Sequence, residues 1–585
     1  MNQSQAITQH ALLVAWGEFA RQMGLIQQLE QLSIHQKHYQ HTPQTKVLEF
    51  LVATLAGLEH LKEISQSAHP LDKDAVLAKA WGQAAWADYS GVSRTLKALT
   101  RAEAQQIVHV LDGSSQMFIT SEVNVALWLE KCLVYDGDLT GLAVSKSSQT
   151  YPGVAFGYMD DQIRLGYQAA VVSMHSPTYQ RLWLSVEHHP GNLVSASAAQ
   201  GMVQAAEART GVRPWRRTDL LEQRVQAANS YELTLQQKRT GRQERVSAAL
   251  RELDQVDQQL AEWQAHVAEL EAGYEARQRC ERPTSKLAQA RQKLVTFQKR
   301  RERRAKALSK AQQVVEWTQG LILQQQAEQH SLQERLERLQ EDNANNPQPV
   351  QAIFRLDAGF GTYENLALLI EMGYEIYTKL QNWKVLQGLL KQVPGEAEWT
   401  KVGTQATMFA WGQHQPESFC YPLDVGLECF TDGKRVKHCA LLHYGPTPVT
   451  QDLPAWFAFY CGRQTIEAGI KESKQIFHLH RLKVRSEPAI YLQENFVLFA
   501  ANFIRWASTW LAQASGQGFL NVEHLSTKEM VQVAAHASAE VVRYSEGKLL
   551  RFSEQSAFAG KALKLPIFVY QLPLPFGKSF DFSHV

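Results

Sequence analysis

The stretch FYCGRQTIEAGIKESKQIF, residues 459–477, carries two stripes of side chains at helical spacing. One stripe is apolar and recurs at steps of three, four and seven residues, as on the buried face of a packed helix: Phe459, Gly462, Ile466, Ile470 and Phe477. The neighbouring stripe has the same period and is mostly polar: Tyr460, Arg463, Glu467 and Lys474. The pattern predicts one helix over 459–477. A solvated charged face alone would not require a tyrosine at this spacing.

The composition indicates a globular protein. The chain has 585 residues, of which 44% are hydrophobic and 20% are charged, enough for about three or four domains. The formal net charge is only +2, so any basic surface must be local. Six cysteines without a C-x-x-C pair argue against a zinc site or a disulfide framework and favour a reducing compartment.

The amino-terminal residues lack the basic region and apolar core of a signal peptide. No apolar run approaches the length that crosses a bilayer. We therefore expect a soluble cytoplasmic protein that does not contact a membrane.

Residues 1–120 are predicted to form a helical domain. The segment TKVLEFLVATLAGLEHLKEI (45–64) has the helical period. WADYSGVSRTLKALT (86–100) is typical of a short helix, a glycine turn and a second helix from Ser93. As a helix-turn-helix, this segment would contact DNA through Arg94 and Lys97. The alternative is a plain element of a helical bundle.

From 121 to 214 the period changes to two, which predicts the first part of an α/β core. Three strand-like runs imply an antiparallel meander: KCLVYDGDLTGLAV (131–144), GYQAAVVSMH (166–175) and YQRLWLSVEHH (179–189). The next segment, SASAAQGMVQAAEARTG (195–211), predicts a helix with a serine cap that runs on into a long insertion.

Residues 215–345 are predicted to form an inserted antiparallel coiled-coil hairpin. Apolar residues step by three and four from Val246 to Tyr274 and recur at helical spacing from Leu287 to Leu339, with a reversal at Pro283. The second arm carries the basic block QKRRERRAKALSK (298–310). Its Arg300 and Arg304 are candidates for DNA phosphate contact, and a solvated helix face is the alternative.

Alternation returns after the hairpin. Four further segments are predicted: 346–384 as the second part of the core, with strands QAIFRLDAGF and YEIYTKL around a helix; 385–450 as a strand-rich insertion; 451–515 as core helices; and 516–585 as a C-terminal region of one helix and short strands.

Carboxylates stand at the strand ends of this core. Asp136 and Asp138 are two residues apart on the first strand and therefore point to one face, and Asp357 ends the fourth strand. Strand ends are where α/β sheets carry their chemistry, and Glu467 would add a third carboxylate from a helix. Converging carboxylates suit two Mg²⁺ ions, which prefer oxygen ligands and catalyse phosphodiester chemistry in pairs.

The spacing Tyr-x2-Arg-x3-Glu-x6-Lys at Tyr460, Arg463, Glu467 and Lys474 resembles the signature around the catalytic glutamate of bacterial insertion-sequence DDE transposases. DGDLT (136–140) and RLDAGFGT (355–362) resemble the first and second aspartate motifs of that group. The resemblance covers about 125–510, and more loosely the helical N-terminal region.

The resemblance implies a ribonuclease H-like mixed sheet flanked by helices, with two Mg²⁺ ions, or Mn²⁺ in their place, on Asp138, Asp357 and Glu467. It implies cleavage at the ends of an insertion sequence and joining of the 3′-hydroxyl ends to target DNA. Tyr460, Arg463 and Lys474, with the nearby Lys471, would contact phosphates beside the scissile bond. Double-stranded DNA (terminal inverted repeats and target) and a second copy of the chain would be the partners, at the nucleoid in a bacterial cytoplasm.

Two features depart from the usual pattern of that group. The long hairpin lies between the two aspartates, whereas the group usually carries a strand-rich insertion between the second aspartate and the glutamate, as 385–450 would be. Asp136 is an alternative first aspartate, although Asp138-x-Thr140 fits the D-x-T form better. Two other functions stay open: a metal-dependent nuclease or resolvase on the same core, and a non-catalytic DNA-binding scaffold.

Overall fold

The computed structural model describes residues 6–36, 40–159, 161–278, 281–416, 419–433, 435–514, 516–544 and 547–567. The chain divides into two compact units. One comprises Met1–Trp215 and Asn346–Val585, and the other is Arg216–Asn345. The first unit is a mixed α/β structure, and the second is a helical hairpin.

The amino-terminal part of the first unit is helical after one short strand. Its elements are β1 (Ala6–Thr8), α1 (Ala11–Gln22), α2 (Leu25–Glu30), α3 (Pro43–Leu55), α4 (Glu63–Gln66), α5 (Ala75–Ala80), α6 (Tyr89–Ala98) and α7 (Arg101–Glu130). Helix α7 starts at a capping box formed by Thr100 and Glu103 and extends past residue 120 without a break.

The predicted turn at Gly91 is wrong. Helix α6 begins at Tyr89 rather than Ser93, because the side chain of Asp88 accepts a hydrogen bond from the Gly91 amide at 2.6 Å and caps the helix there. Gly91 therefore lies inside the first turn of α6. Arg94 and Lys97 are exposed on α6. The short helix and glycine turn that were predicted before them are not formed.

The predicted antiparallel meander is confirmed, with one added strand. The elements of this segment are β2 (Cys132–Ala143), β3 (Ala155–Met159), β4 (Gln162–Ser176), β5 (Gln180–Pro190) and α8 (Ser195–Thr210). Strand β4 pairs with β2 on one edge and with β3 and β5 on the other, all antiparallel. Strand β3 was not predicted.

The sequence pattern predicted that α8 continues into the insertion, and this prediction is wrong. Gly211 adopts a left-handed conformation (φ 71°) directly after Thr210 and ends the helix. The serine cap is also wrong, since the N-cap residue is Val194 and no side chain caps this end.

The second unit confirms the predicted long helical hairpin. It consists of α9 (Thr218–Ala276) and α10 (Lys286–Ala344), and each arm of 59 residues is about 88 Å long at the α-helical rise. Partners across the hairpin run in opposite directions along the two helices: Glu222 with Gln340, Glu232 with Gln326, Asp257 with Arg301 and Glu271 with Arg291. The arms are therefore antiparallel.

The sheet continues after the hairpin. Its further elements are β6 (Gln351–Leu356), α11 (Tyr363–Glu371), β7 (Glu375–Lys379), α12 (Trp383–Gln392), β8 (Thr400–Lys401), β9 (Ala406–His414), β10 (Leu423–Asp432) and β11 (Arg435–Tyr444). Strand β6 runs parallel to β2, and β7 runs parallel to β6. The result is a mixed sheet of ten strands in the order β3-β4-β2-β6-β7-β11-β10-β9-β8, with β5 also on β4.

The strands predicted within 385–450 exist, but they extend the same sheet. Strand β11 pairs antiparallel with β7, so Leu442 lies opposite Thr378, and β10 and β9 follow outward. The backbone groups on this edge of β7 are thereby satisfied by β11.

The remaining elements are α13 (Leu453–Cys461), α14 (Gln464–Gln475), α15 (Glu487–Ala512), α16 (Thr527–Gln532), β12 (Ala539–Tyr544), β13 (Gly547–Phe552) and β14 (Ala562–Leu565). Most of α15 is buried, and it packs on α7 with the rings of Phe118 and Trp506 stacked at 4.7 Å. Strand β1 pairs with β12, so a strand from the amino-terminal part joins β12, β13 and β14 in a four-stranded sheet. No helix among the described residues is both long and apolar enough to cross a membrane.

The prediction of one helix over 459–477 is wrong, since α13 ends at Cys461 and α14 starts at Gln464. The Arg355 guanidinium donates to the carbonyl oxygen of Phe459 at 2.9 Å, and the Arg463 amide bonds to Tyr460 instead. This hydrogen bond joins residues three apart, as in a 3₁₀ turn, rather than four apart as in an α-helix. Gly462 permits this approach, because a β-carbon there would lie 2.4 Å from Nη1 of Arg355.

A buried histidine near β1, His10, should make the stability of the first unit pH-dependent. Burial lowers the pKa of His10 to about 4 from 6.5, and the ring of His536 lies 5.5 Å away. Between these values the unfolded chain binds a proton that the folded chain does not, so stability falls as pH falls through this window. His10→Leu should remove up to about 2 kcal/mol of the stability difference between about pH 7 and pH 5, measured by urea unfolding.

The matched control is His60→Leu, which replaces an exposed histidine of the same unit. This variant should keep the wild-type pH dependence. Equal pH dependence in wild type and His10→Leu would contradict the burial argument.

Candidate active site

Strand register brings two of the predicted carboxylates together. In the parallel pair of β2 and β6, Gly137 lies opposite Leu356, so the next residues, Asp138 and Asp357, are neighbours at the same edge. Gly137 faces the other side of the sheet, where a β-carbon would lie 2.6 Å from Cε of Met202 on α8. The alternation of β2 therefore directs Asp136 and Asp138 away from α8.

The two aspartates of β2 have different surroundings. Asp136 is buried, and both of its oxygens accept hydrogen bonds from the guanidinium of Arg355 at 2.7 and 2.8 Å. Among the described residues, Asp138 accepts a hydrogen bond from the Leu139 amide at 2.8 Å and a long contact, 3.3 Å, from Arg463. Both oxygens of Asp136 are therefore occupied by a bidentate ion pair, whereas Asp138 lines a cleft.

Helix α14 supplies one wall of that cleft. Glu467, Lys471 and Lys474 recur at four- and three-residue steps and share one face of the helix. The opposite face, with Ile466 and Gly469, is buried. The amphipathic pattern seen in the sequence therefore orients α14 correctly, even though the helix is shorter than predicted.

Two arginines, one from the sheet and one from α15, hold α14 in place. Arg181 of β5 binds Glu472 at 3.0 Å and donates to the carbonyl of Thr465. Arg505 of α15 binds Glu472 at 2.9 Å. Gly469 makes room for Arg181, since a β-carbon would lie 2.3 Å from its guanidinium carbon. These contacts hold the helix that carries Glu467.

One open cleft of about 950 Å³ unites the carboxylates and the lysines. It is lined by Asp138, Asp357 and Glu467, by Lys471 and Lys474, by Phe156 and Tyr158 of β3, and by residues 191–195 before and at the start of α8. The side chain of Glu467 is 53% exposed, whereas that of Asp138 is 14% exposed. Three carboxylates that are distant in sequence therefore face one solvent-accessible space.

The carboxylates repel one another electrostatically. Burial raises the pKa of Asp138 to about 6; Arg463 opposes this rise, and Asp357 and Glu467 add to it. Burial also raises the pKa of Asp357, again against Arg463. Such a cluster favours the arrival of a cation.

The residues of the predicted phosphate-binding face divide between cleft and core. Lys471 and Lys474 line the cleft. Arg463 instead bridges Asp138 and Glu467. Tyr460 is 5% exposed and donates its hydroxyl to the carbonyl of Leu356 at 3.2 Å, so the structure does not bring it to the surface where a phosphate would bind.

The other predicted DNA contacts lie elsewhere. Arg94 and Lys97 are exposed on α6 and do not line the cleft. In the hairpin unit, Arg304 forms an ion pair with Glu252 of the other arm at 2.7 Å, which favours a structural role. Arg300 is exposed, and no hydrogen bond or ion pair of its side chain is found among the described residues.

The donor set fits a hard divalent cation, because it consists of carboxylate oxygens at a solvent-accessible edge. As they are placed, no three or more His, Cys, Asp or Glu side chains in the described part of the chain already surround a common metal position. Glu467 is the exposed member of the three, and its carboxylate also forms an ion pair with Arg463.

Sequence reasoning missed two groups of residues. Arg355 and Arg181 position the helix, and Phe156 and Tyr158 line the cleft. An arginine two residues before Asp357, in an otherwise apolar strand, was a usable signal for a buried ion pair. The aromatic pair carried no signal that distinguishes it from core residues.

The sequence matches no protein-family model, and it matches no curated protein with significant similarity. The function is therefore argued from the site.

The two aspartates of β2 should differ in their effect on stability. Asp136→Asn leaves Arg355 buried without its charged partner and should lower the free energy of unfolding by about 3 kcal/mol. Asp138→Asn removes a carboxylate whose ionised form is disfavoured by burial, so it should not lower the free energy of unfolding and should raise it by up to about 3 kcal/mol at neutral pH. Urea unfolding of both variants at neutral pH measures this difference. Equal losses would contradict the division of roles on this strand.

Proposed function

We propose that this protein is a DDE-type DNA transposase that cuts at the ends of an insertion sequence and joins the resulting 3′-hydroxyl ends to target DNA. One observation carries the proposal: Asp138, Asp357 and Glu467, from two strand ends and a helix, line the same cleft as Lys471 and Lys474. All three carboxylates of the sequence motifs line this cleft, together with one further carboxylate, Asp161.

The topology supports a ribonuclease H-like core within the larger sheet. Three antiparallel strands, β2, β4 and β5, are followed by α8, and then by β6 and β7 with α11 between them. The last two strands run parallel to β2, and α14 packs against β2 with its carboxylate. This is the element order that the sequence pattern predicts once the hairpin is set aside, with β3 added.

Asp138, Asp357 and Glu467 would hold the Mg²⁺ ions, with Mn²⁺ as a substitute. When bound, the metal pair supplies activation of the attacking oxygen and stabilisation of the leaving oxygen in phosphodiester cleavage. Lys471 and Lys474 would contact phosphates of the bound strand as point charges. The amino terminus of α8, which also lies at the cleft, adds partial positive charge there.

Arg463 would act on the carboxylates rather than on DNA. Its guanidinium lies between Asp138 and Glu467 and offsets their repulsion. It thereby keeps the helix-borne carboxylate close to the strand-borne ones. The arginine of the signature thus stabilises the charged site.

The remaining partners follow from the chemistry of cutting and joining two ends. Such a reaction needs two active sites, so we infer a homodimer on paired terminal repeats, in a bacterial cytoplasm. The hairpin unit would grip DNA through those basic residues of its second arm that are exposed and have no described ion pair: Lys299, Arg300, Arg303, Lys306 and Lys310.

The carboxylates are tested by DNA cleavage. Asp138→Asn, Asp357→Asn and Glu467→Gln should each abolish Mg²⁺-dependent cleavage of DNA that carries the repeats flanking the gene. Binding of that DNA should be largely retained, because the carboxylates serve the metal and not the affinity. Gel assays of nicked product and of bound complex measure the two properties separately.

The matched control is Asp161→Asn, which removes another carboxylate that lines the same cleft. This variant should cleave normally. Full activity of Glu467→Gln would contradict the site, and cleavage without any joined product in the presence of target DNA would support a nuclease or resolvase instead.

A further inference from the structure

Two exposed aromatic side chains form the wall of the cleft that belongs to the β3–β4 hairpin. Phe156 and Tyr158 are 56% and 67% exposed, and they lie two residues apart on β3 and therefore on one face. Ile163, 68% exposed, pairs with Tyr158 across the hairpin. We call Phe156 and Tyr158 the aromatic ledge.

The strand that carries the ledge is held in position by contacts to its backbone. Gln168 of β4 donates from Nε2 to the carbonyl of Tyr158 at 2.9 Å. Gly157, between the two aromatic residues, meets the turn after β5 so closely that a β-carbon would lie 1.6 Å from the carbonyl oxygen of Gly191. The two rings are therefore presented to solvent by a firmly seated strand, which lowers the entropic cost of binding.

The chemistry of the cleft changes from wall to wall. The ledge is aromatic, the face of α14 presents Lys471 and Lys474, and the three carboxylates belong to the same space. Aromatic rings beside basic groups are what unpaired nucleic acid requires, because bases stack on the rings while lysines contact the phosphates. In an intact duplex the faces of the bases are covered by their neighbours, so the rings would gain little.

We propose that the cleft takes a DNA strand whose bases are unpaired next to the reacting phosphate, with bases stacked on Phe156 and Tyr158. The inference rests on the proposed function and specifies its substrate: the end of the element is bound with its strands separated. The lysine wall supplies affinity for either form of DNA, and the ledge supplies the preference for unpaired bases.

The experiment measures binding of full-length protein to a fluorescently labelled single-stranded oligothymidylate and to a duplex of the same length, by anisotropy in EDTA. Phe156→Ala/Tyr158→Ala should weaken binding of the single strand on the order of 30-fold, as the loss of two base-stacking contacts implies. Duplex affinity should stay as in wild type. Both side chains are more than half exposed, so the double variant should fold normally.

Two variants serve as controls. Tyr158→Phe keeps the ring and loses only the hydroxyl that donates to Asp161 at 3.2 Å, so it should bind the single strand as wild type does. Trp383→Ala removes an aromatic residue that is 60% exposed on α12, away from this cleft, and should leave both affinities unchanged.

Salt dependence separates stacking from charge. The double variant should lose affinity without a change in the slope of log K against log salt. Lys474→Ala should lower that slope by roughly 0.7 for the single strand, the value for one phosphate contact.

Normal binding of oligothymidylate by the double variant, or an equal loss for single strand and duplex, would overturn the ledge. If wild type also cleaves repeat-bearing DNA with Mg²⁺, the ledge alone is overturned. If wild type binds neither the single strand nor the duplex and does not cleave repeat-bearing DNA, both the ledge proposal and the proposed function fail.

Discussion

The pair of hydrogen bonds between Arg355 and Asp136 connects the elements that carry the three candidate carboxylates. The two residues are direct neighbours across the parallel strands β6 and β2, so the ion pair joins the strands that carry Asp357 and Asp138. Nη1 of the same guanidinium donates to the carbonyl of Phe459, close to the point where α13 ends. Helix α14, and with it Glu467, starts from that point. A buried charge pair of this kind adds little net stability by itself, but its loss would leave a buried charge unpaired.

Much of the fold could be predicted because it follows from the period of the sequence. The strands of the meander, β6 and β7, and the two arms of the hairpin all carry a clear two-residue or helical repeat of apolar residues. The division of the helix over 459–477 could not be predicted, because it depends on an arginine that is distant in sequence. The turn at Gly91 was wrong for a local reason, since Asp88 caps a helix that then includes the glycine.

The three carboxylates named from the sequence lie in one cleft, whereas several of the residues around them were not predicted. Asp138, Asp357 and Glu467 line one cleft, and Asp136, the alternative, is held by Arg355. Tyr460 has the spacing of the signature but lies in the core. Spacing along a helix identifies a face, and it does not say how deep that face lies once a second element covers one end. For the same reason no pattern in the sequence distinguished the exposed Phe156 and Tyr158 from buried strand residues.

Negative and positive side chains occupy different parts of the cleft. Three carboxylates and one bridging arginine leave net negative charge at the strand ends, and the pKa of Asp138 rises to about 6 because its ionised form is buried among like charges. Lysines stand on one wall and aromatic rings on the other. A divalent cation would relieve the repulsion at the strand ends, and the walls would then face the phosphates and bases of a strand bound to it.

The central claim is that Asp138, Asp357 and Glu467 together bind divalent metal. Binding of Mn²⁺ to the full-length protein, followed by electron paramagnetic resonance in the absence of DNA, tests it most directly. The account predicts Mn²⁺ binding by wild type and by Asp161→Asn, competition by excess Mg²⁺, and loss of binding in Asp138→Asn and Glu467→Gln. Equal Mn²⁺ binding by wild type and by folded Asp138→Asn and Glu467→Gln would contradict it.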